Sequence, residues 1–211
     1  MMKKIHLLFF ALLIVMFPAC SDDDNDELSE NTIEFDYIHK EDSYPYIGIA
    51  GEGLKINWGN GSTTTLTQSG NPIALNYSAN DIGKTFKIRI TGRTISGLEL
   101  GVRYSPNHSD KRISGLKMGK VPGLRKLIIR QLAEQSVLDL RGCVNLISFD
   151  LYDCRELQSV NFATPSKIGE LYVGTCQNLS LNMQELTGLR GAIRAGCFRQ
   201  LLWQHRYTRS A

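Results

Sequence analysis

The chain has 211 residues, and its 24 Lys and Arg against 21 Asp and Glu give a formal net charge of +3 at pH 7. This near balance argues against a nucleic-acid-binding protein, which is expected to carry a clustered basic stripe. The length predicts one or two domains.

The first residues have the layout of a secretory signal. Lys3 and Lys4 precede an apolar run at 5–17, which His6 alone interrupts. A run of this length is too short to span a bilayer, which takes about 20 apolar residues. Cys20 follows next, after Pro and Ala, and an acidic segment comes directly behind it. The sequence therefore predicts an exported protein.

This arrangement resembles the lipobox of bacterial lipoproteins, and the Ser-Asp-Asp-Asp run that follows resembles the surface-export tether of certain Gram-negative lipoproteins. Phe17 departs from the family, which usually has Leu or Val three positions before the cysteine. The resemblance implies a signal peptide at 1–19, then lipidation of Cys20 by acyl chains such as palmitate, and a tether at 20–30. It implies an outer-membrane lipoprotein that faces the cell exterior. The alternative is an ordinary signal peptide with an incidental cysteine.

Residues 31–97 are rich in Thr, Ile, Tyr and Gly, which is typical of a small β domain. Phe86, Ile88 and Ile90 alternate with polar residues, and this predicts a strand with one buried face. Three stretches have strand character and are separated by Gly and Asn turns; they lie at 33–38, 54–58 and 85–91.

A second pattern in this region has three parts. Residues 55–62 read Lys-Ile-Asn-Trp-Gly-Asn-Gly-Ser, Tyr77 follows about 15 residues later, and Gly83 precedes the last strand. It resembles the PKD-like β-sandwich, whose signature runs Asp-Trp-Gly-Asp-Gly, then Tyr, then Gly and an aromatic. Asparagines replace both aspartates here, so the resemblance implies no calcium site. Trp58 is expected to plug the sandwich core, and the alternative is that it stacks on a sugar. Residues 98–112 are predicted to be a linker or an N-terminal cap.

The second half of the chain contains an 11-residue repeat. Its six units begin at 113, 124, 135, 146, 157 and 168. Positions one, four and six are apolar in 17 of 18 cases, and Gln135 is the exception. Each unit predicts a short strand with alternate residues inward, followed by a corner filled at position nine. Such self-similarity is typical of a stacked solenoid, in which no unit buries its apolar face alone.

The pattern L-x-x-L-x-L-x-x-C resembles a leucine-rich repeat, and the paired half-repeats resemble the BspA-like leucine-rich lipoproteins of bacterial surfaces. Two units then make one turn. The expected fold class is thus mostly β, with a small PKD-like sandwich followed by a short leucine-rich-repeat solenoid at 113–185. Cysteines at position nine are expected to be buried core residues rather than zinc ligands, because no histidine lies nearby. Disulfides are the alternative for an exported chain with four further cysteines, which are Cys143, Cys154, Cys176 and Cys197.

The register fails from about Leu179, and residues 186–211 contain five arginines and no acid. A divergent cap, a basic segment that touches the membrane, and a truncated or frame-shifted end are all open, and the last is preferred because the composition changes abruptly.

Catalytic and cofactor motifs are absent from the sequence, which contains no G-x-S-x-G, H-E-x-x-H, P-loop or Rossmann pattern. We therefore expect no enzyme, no cofactor and no bound metal. Glu34 and Asp36 share one strand face, and without a recognisable cleft they are expected to be ordinary surface acids.

Binding is the remaining class of function. Side chains at the exposed positions of units two, four and six are expected to share one face, which contains Lys126, Ile128, Arg130, Ser148, Asp150, Tyr152, Glu170 and Tyr172. Units one, three and five predict a second face with Lys117, Val137, Asp139, Arg141, Ser159 and Asn161. The first face combines Arg and Tyr with an exposed Ile and is the better candidate, because Arg and Tyr are frequent in hot spots. The alternative is that both are ordinary solvated faces.

The expected function is therefore a cell-surface protein-binding or adhesion module, with Arg130, Asp150, Tyr152 and Tyr172 as candidate ligand-binding residues. The BspA-like resemblance implies contact with host or neighbouring-cell proteins. The alternatives are a glycan-binding accessory lipoprotein that uses Trp58, and a structural spacer without a ligand.

Overall fold

The computed structural model describes residues 28–41, 43–67, 72–103, 112–190 and 194–196. The predicted signal peptide, Cys20 and most of the tether and tail lie outside this part. The described chain is mostly β, as predicted, with almost no helix. The first seven strands are β1 (Thr32–Ile38), β2 (Tyr44–Glu52), β3 (Leu54–Asn57), β4 (Thr63–Leu66), β5 (Ile73–Ala74), β6 (Thr85–Thr91) and β7 (Thr94–Arg103). The others are β8 (Ile113–Met118), β9 (Lys126–Arg130), β10 (Val137–Leu140), β11 (Ser148–Tyr152), β12 (Ser159–Phe162), β13 (Glu170–Gly174) and β14 (Arg194–Gly196).

These strands form three sheets. A five-stranded sheet has the order β4-β3-β6-β1-β8, a seven-stranded sheet has the order β14-β13-β11-β9-β7-β2-β5, and β10 pairs with β12 alone. Residues of all three sheets belong to one hydrophobic cluster, which runs from Ile33 in β1 to Leu186. The alternation predicted for β6 is confirmed, since Phe86, Ile88 and Ile90 are buried and the residues between them are exposed.

Strand β7 corrects the predicted boundary at residue 97 and rules out the linker alternative for 98–103, whereas the N-terminal cap alternative stays open. It continues to Arg103, pairs antiparallel with β2 and pairs in parallel with β9, where Leu98 aligns with Leu127. Its alternate residues Leu98 and Leu100 are buried in the common cluster. A strand hydrogen-bonded on both sides cannot act as a linker, so the two halves of the chain share one sheet. Of the predicted linker, residues 104–111 lie outside the described part.

The 11-residue periodicity appears in the strand pairing. In the seven-stranded sheet Lys126 aligns with Ser148, and Ser148 with Glu170, which is a step of 22 residues. The pair β10–β12 has the same step, because Val137 aligns with Ser159. All apolar positions one, four and six are buried except Met118, which is half-buried together with the polar exception Gln135. Period-two alternation within each short strand is the reason, since it directs positions four and six to the same side.

Strand β8 was expected to join the row of β10 and β12, and this prediction is wrong. β8 pairs antiparallel with β1 as the edge of the five-stranded sheet, where Tyr37 aligns with Ile113. Lys117 therefore aligns with Glu34 of β1 and has no hydrogen-bonded strand partner in β10. The side chain of Gln135 takes the place of a strand partner, because its amide bonds both the N–H and the C=O of Leu116.

The corners of the repeat region are built from buried and left-handed residues. Cys143, Cys154 and Cys176 are buried and form no disulfide, which confirms their predicted place in the core, whereas Cys197 lies outside the described part. Pro165 at position nine is exposed, so that corner departs from the expectation. Position eight of units two, four and six has a φ of 60°, 55° and 55°, and these residues are Gln131, Asp153 and Thr175.

The described repeat region ends differently in its two sets of parallel strands, which are β10–β12 and β9–β11–β13. A 3₁₀ helix at Met183–Glu185 replaces the next strand after β12, and Asn182 caps it by accepting a hydrogen bond from the Gln184 N–H. This agrees with the predicted loss of register after Leu179. In the other row β14 continues the 22-residue step, because Tyr172 aligns with Arg194.

Candidate binding face

The residues predicted for the first face are brought together by the seven-stranded sheet. Strands β9, β11 and β13 lie side by side, so Ile128, Asp150 and Tyr172 form one cross-strand row. Arg130 and Tyr152 form the next row. The intervening residues of these strands are buried, so the predicted set points to the opposite, outer side. The common face is confirmed, and its role in binding stays a prediction.

The face extends onto two strands that the sequence did not suggest. Gly97 and Glu99 of β7 align with Lys126 and Ile128, and Gly48 of β2 aligns with Glu99. We call the whole surface the outer face; it consists of Tyr46, Gly48, Ala50, Gly97, Glu99, Gly101, Lys126, Ile128, Arg130, Ser148, Asp150, Tyr152, Glu170, Tyr172 and Gly174. The alternation Gly-Leu-Glu-Leu-Gly at 97–101 was the available signal, and the assumed linker concealed it.

Ile128 was expected to be exposed, and this expectation is wrong, since only 9% of it is accessible. Glu99 and Asp150 stand directly beside it on the neighbouring strands. Cross-strand neighbours are close enough to shield one another, and Lys126 and Arg130 flank it along its own strand. The centre of the outer face is therefore polar, with an apolar residue beneath.

Arg130 leans across β7 rather than standing upright. Its Nε donates to Oε1 of Glu99 at 3.2 Å. A Cβ built on Gly101 would lie 3.4 Å from the Cβ of Arg130 and 3.7 Å from its Cδ. The arginine stem therefore lies within van der Waals distance of a Cβ placed at Gly101, and the ion pair joins its guanidinium group to Glu99 on the neighbouring strand.

The two tyrosines converge over a second glycine. A Cβ built on Gly174 would lie 2.9 Å from Cδ2 of Tyr152 and 3.2 Å from the hydroxyl oxygen of Tyr172. Tyr152 nevertheless keeps 37% of its surface accessible. Because Gly174 has no side chain, the side chains of Tyr152 and Tyr172 can both pack against it. The Tyr152 ring remains partly exposed to solvent.

The electrostatics of the outer face centre on Asp150. Burial raises the pKa of this carboxyl above its ordinary value, Lys126 and Arg130 oppose the rise, and the carboxylates of Glu170 and Glu99 add to it. The face therefore carries three carboxylates against two cationic groups. Such a mixture provides both acceptors and donors within reach of one ligand.

The second predicted face is less developed. On β10 and β12 the residues Val137, Asp139, Ser159 and Asn161 do share one side, as predicted. Val137 is 46% exposed, and Arg141 pairs with Asp139 at 2.5 Å. This hydrogen bond lowers the pKa of Asp139. Local pairing of this kind is typical of a solvated strand face.

Trp58 has no role as an exposed stacking residue. None of its surface is accessible, its indole Nε1 donates to Oγ1 of Thr64 at 2.8 Å, and its carbonyl accepts from the Tyr77 hydroxyl at 2.8 Å. The expected place in the core is confirmed. The alternative in which Trp58 stacks on a sugar is wrong, because a ligand has no access to the ring.

An open cleft of about 620 Å³ lies at one end of the five-stranded sheet, and His39, Ser43, Tyr44, Asn76, Tyr77 and Ile82 contribute to its lining. Tyr77 in its lining belongs to an aromatic stack, since it packs on Phe86 at 4.2 Å and on Tyr37 at 5.4 Å between ring centroids. Burial raises the pKa of both tyrosines, and the Tyr37 hydroxyl bonds Ser43. These rings are committed to packing, which makes the cleft a poorer candidate than the outer face.

Glu34 and Asp36 were expected to be ordinary surface acids, and this is wrong for Glu34, which is only 6% exposed, whereas Asp36 is half-buried. Glu34 pairs with Arg89 and Asp36 with Lys87 across β1 and β6. Within the described ranges, no group of three or more His, Cys, Asp or Glu is placed to hold a metal ion.

Comparison with family models, with curated protein sequences and with solved structures found no match to this chain. In the part of the chain that the structure describes, no helix has the length and apolar character needed to cross a bilayer.

Proposed function

We propose that the protein is a non-catalytic binding or adhesion module that recognises an extracellular ligand through the outer face. The observation that carries this proposal is the convergence of Arg130, Asp150, Tyr152 and Tyr172 on adjacent parallel strands. Arg and Tyr are the residue types that most often dominate binding energy. The ion pair of Arg130 with Glu99 and the close packing of Tyr152 on Gly174 restrict two of these side chains, which reduces the conformational entropy that binding would remove.

The proposed architecture is a PKD-like sandwich fused to a short leucine-rich-repeat solenoid at 113–185. Its support is the 22-residue step in both sets of parallel strands, together with the burial of the repeat positions. A 22-residue turn falls within the range of about 20–29 residues for a leucine-rich coil. The shared strand β7 fuses the two parts into one sheet.

The proposed location is the outer membrane, with Cys20 lipidated and the acidic tether leading outward. Replacement of Cys20 by Ala tests it, because the variant would incorporate no radiolabelled palmitate and would leave the membrane fraction. Unchanged labelling in the variant would contradict the assignment.

The ligand that the BspA-like resemblance implies is an extracellular protein. The test is binding of the chain from residue 21 to 211 to a panel of glycans and extracellular matrix proteins, with the double variant Tyr152→Ala, Tyr172→Ala beside it. We expect saturable binding that the double variant weakens at least about tenfold. The matched control is Val137→Ala with Asn161→Ala, on the other strand row. If the folded protein binds none of the proteins and glycans, this result would favour the alternative of a structural spacer.

A further inference from the structure

The dimensions of the outer face restrict the kind of ligand that it takes. Five strands, from β13 to β2, span about 24 Å at about 4.8 Å each, and three outward residues along a strand span about 13 Å. With side-chain margins the area is on the order of 400 Å². A standard protein interface buries about 800 Å² on each partner. The face alone is therefore small for a globular protein and adequate for a short chain-like ligand.

Two long side chains of the outer face have contacts that restrict their positions. Arg130 lies over Gly101 and is tied to Glu99, and Tyr152 leans onto Gly174. An exposed tyrosine ring offers a negatively polarised π face, which attracts the C–H groups of a ring packed against it. The carboxylates of Glu99, Asp150 and Glu170 provide acceptors and the guanidinium group of Arg130 provides donors, and this combination suits adjacent hydroxyl groups.

The charge of the face selects among such ligands. Glu99, Asp150 and Glu170 outnumber Lys126 and Arg130, and Arg130 already has a carboxylate partner. A polyanionic chain would meet net repulsion and would have to compete with Glu99 for the guanidinium group. A neutral oligosaccharide is not repelled by the carboxylates and does not compete with Glu99 for the guanidinium group.

We propose that the outer face binds a neutral oligosaccharide, with sugar rings packed on Tyr152 and hydroxyl groups bonded by Asp150, Glu99 and Arg130. This inference rests on the proposed function and names the ligand class of the same site. It differs from the glycan alternative considered from the sequence, which relied on the buried Trp58.

The experiment uses the chain from 21 to 211 on an array of neutral gluco-, manno-, galacto- and xylo-oligosaccharides. Heparin, hyaluronan and matrix proteins are printed on the same array. Tyr152→Phe keeps the ring, Tyr152→Ala removes it, and Arg130→Ala removes the guanidinium group. Val137→Ala on β10 is the control, and far-UV circular dichroism with thermal unfolding verifies that each variant is folded.

We expect a neutral oligosaccharide to bind, Tyr152→Phe to bind within about threefold of the parent, and Tyr152→Ala and Arg130→Ala to lose at least about tenfold. Binding only to a protein or a polyanion, weakened by the same two variants, would overturn the ligand class and leave the outer face as the site. Binding that neither variant changes, or no binding by folded protein, would overturn both proposals.

Discussion

Replacement of Gln135 by Leu restores the repeat pattern at its one polar position, and we expect it to destabilise the protein. The Gln135 amide accepts from the Leu116 N–H at 2.8 Å and donates to the Leu116 C=O and the Val137 C=O, both at 2.9 Å. Leu116 is 3% exposed, so water cannot easily replace these bonds. Consensus substitutions often stabilise proteins, and the structure predicts the opposite here.

The magnitude follows from the groups that lose partners. An unsatisfied buried main-chain group costs about 1–3 kcal/mol, and the variant leaves two of them at Leu116. Gln135 is half-buried, so a leucine there returns about 1–2 kcal/mol through apolar burial. The expected net loss in free energy of unfolding is about 2 kcal/mol.

Urea unfolding followed by circular dichroism measures this difference in free energy of unfolding, provided that the m value is the same in the variant and the parent. Gln158→Leu is the matched control, because Gln158 is exposed and its substitution is expected to change stability by less than about 0.5 kcal/mol. A Gln135→Leu variant as stable as the parent, or more stable, would refute the argument that the amide replaces a strand partner of β8.

Three further substitutions test other parts of the fold. Trp58→Phe removes the hydrogen bond to Thr64 and core volume, and should lower the free energy of unfolding by about 1–3 kcal/mol in urea titrations. Thr175→Gly relieves a φ of 55° and should raise it by about 0.5–1 kcal/mol. Burial raises the pKa of the Cys143 thiol to about 12 in the folded protein. The stability that this shift contributes is fully present below the pKa of the thiol in the unfolded chain and is lost as pH rises toward 12. Stability should therefore fall above about pH 9, and Cys143→Ala should reduce that slope by about 1.4 kcal/mol per pH unit. An unchanged slope in Cys143→Ala, or a less stable Thr175→Gly, would contradict the respective argument.

The repeat positions could be predicted from the sequence, because burial there depends on local alternation. Positions four and six of a short strand point to the same side whatever the strand pairs with, so Phe149 and Leu151 could be assigned to the core. The choice of strand partner is not local. The alternation of apolar and polar residues predicted which side chains of β8 point inward. It could not indicate that β8 would pair with β1.

The candidate site was predicted in part for the same reason. Tyr152 and Tyr172 followed from the 22-residue step, whereas Glu99 and Gly101 depend on the pairing of β7 with β9. The exposure of Ile128 was misjudged because its shielding comes from neighbouring strands rather than from its own sequence.

The shared strand gives a final prediction about domain structure. A fragment of residues 28–103 contains all of the predicted sandwich, yet we expect it not to fold cooperatively. β1 would lose its partner β8, and β7 would lose β9, which would leave an open parallel edge beside Leu98. Two main-chain acceptors outside the fragment would also be lost, the Arg112 C=O for Ile38 and the Lys120 C=O for Asn31.

Circular dichroism and the dispersion of amide proton resonances measure the outcome, and the chain from 28 to 190 is the control. We expect poor dispersion and a broad thermal transition for the short fragment, and a sharp transition for the longer chain. A fragment that melts sharply with dispersed resonances would show that the first seven strands form an independent domain. In that case the parallel β7–β9 pairing would be an interface between two units, and the outer face would lie across it rather than on one continuous sheet.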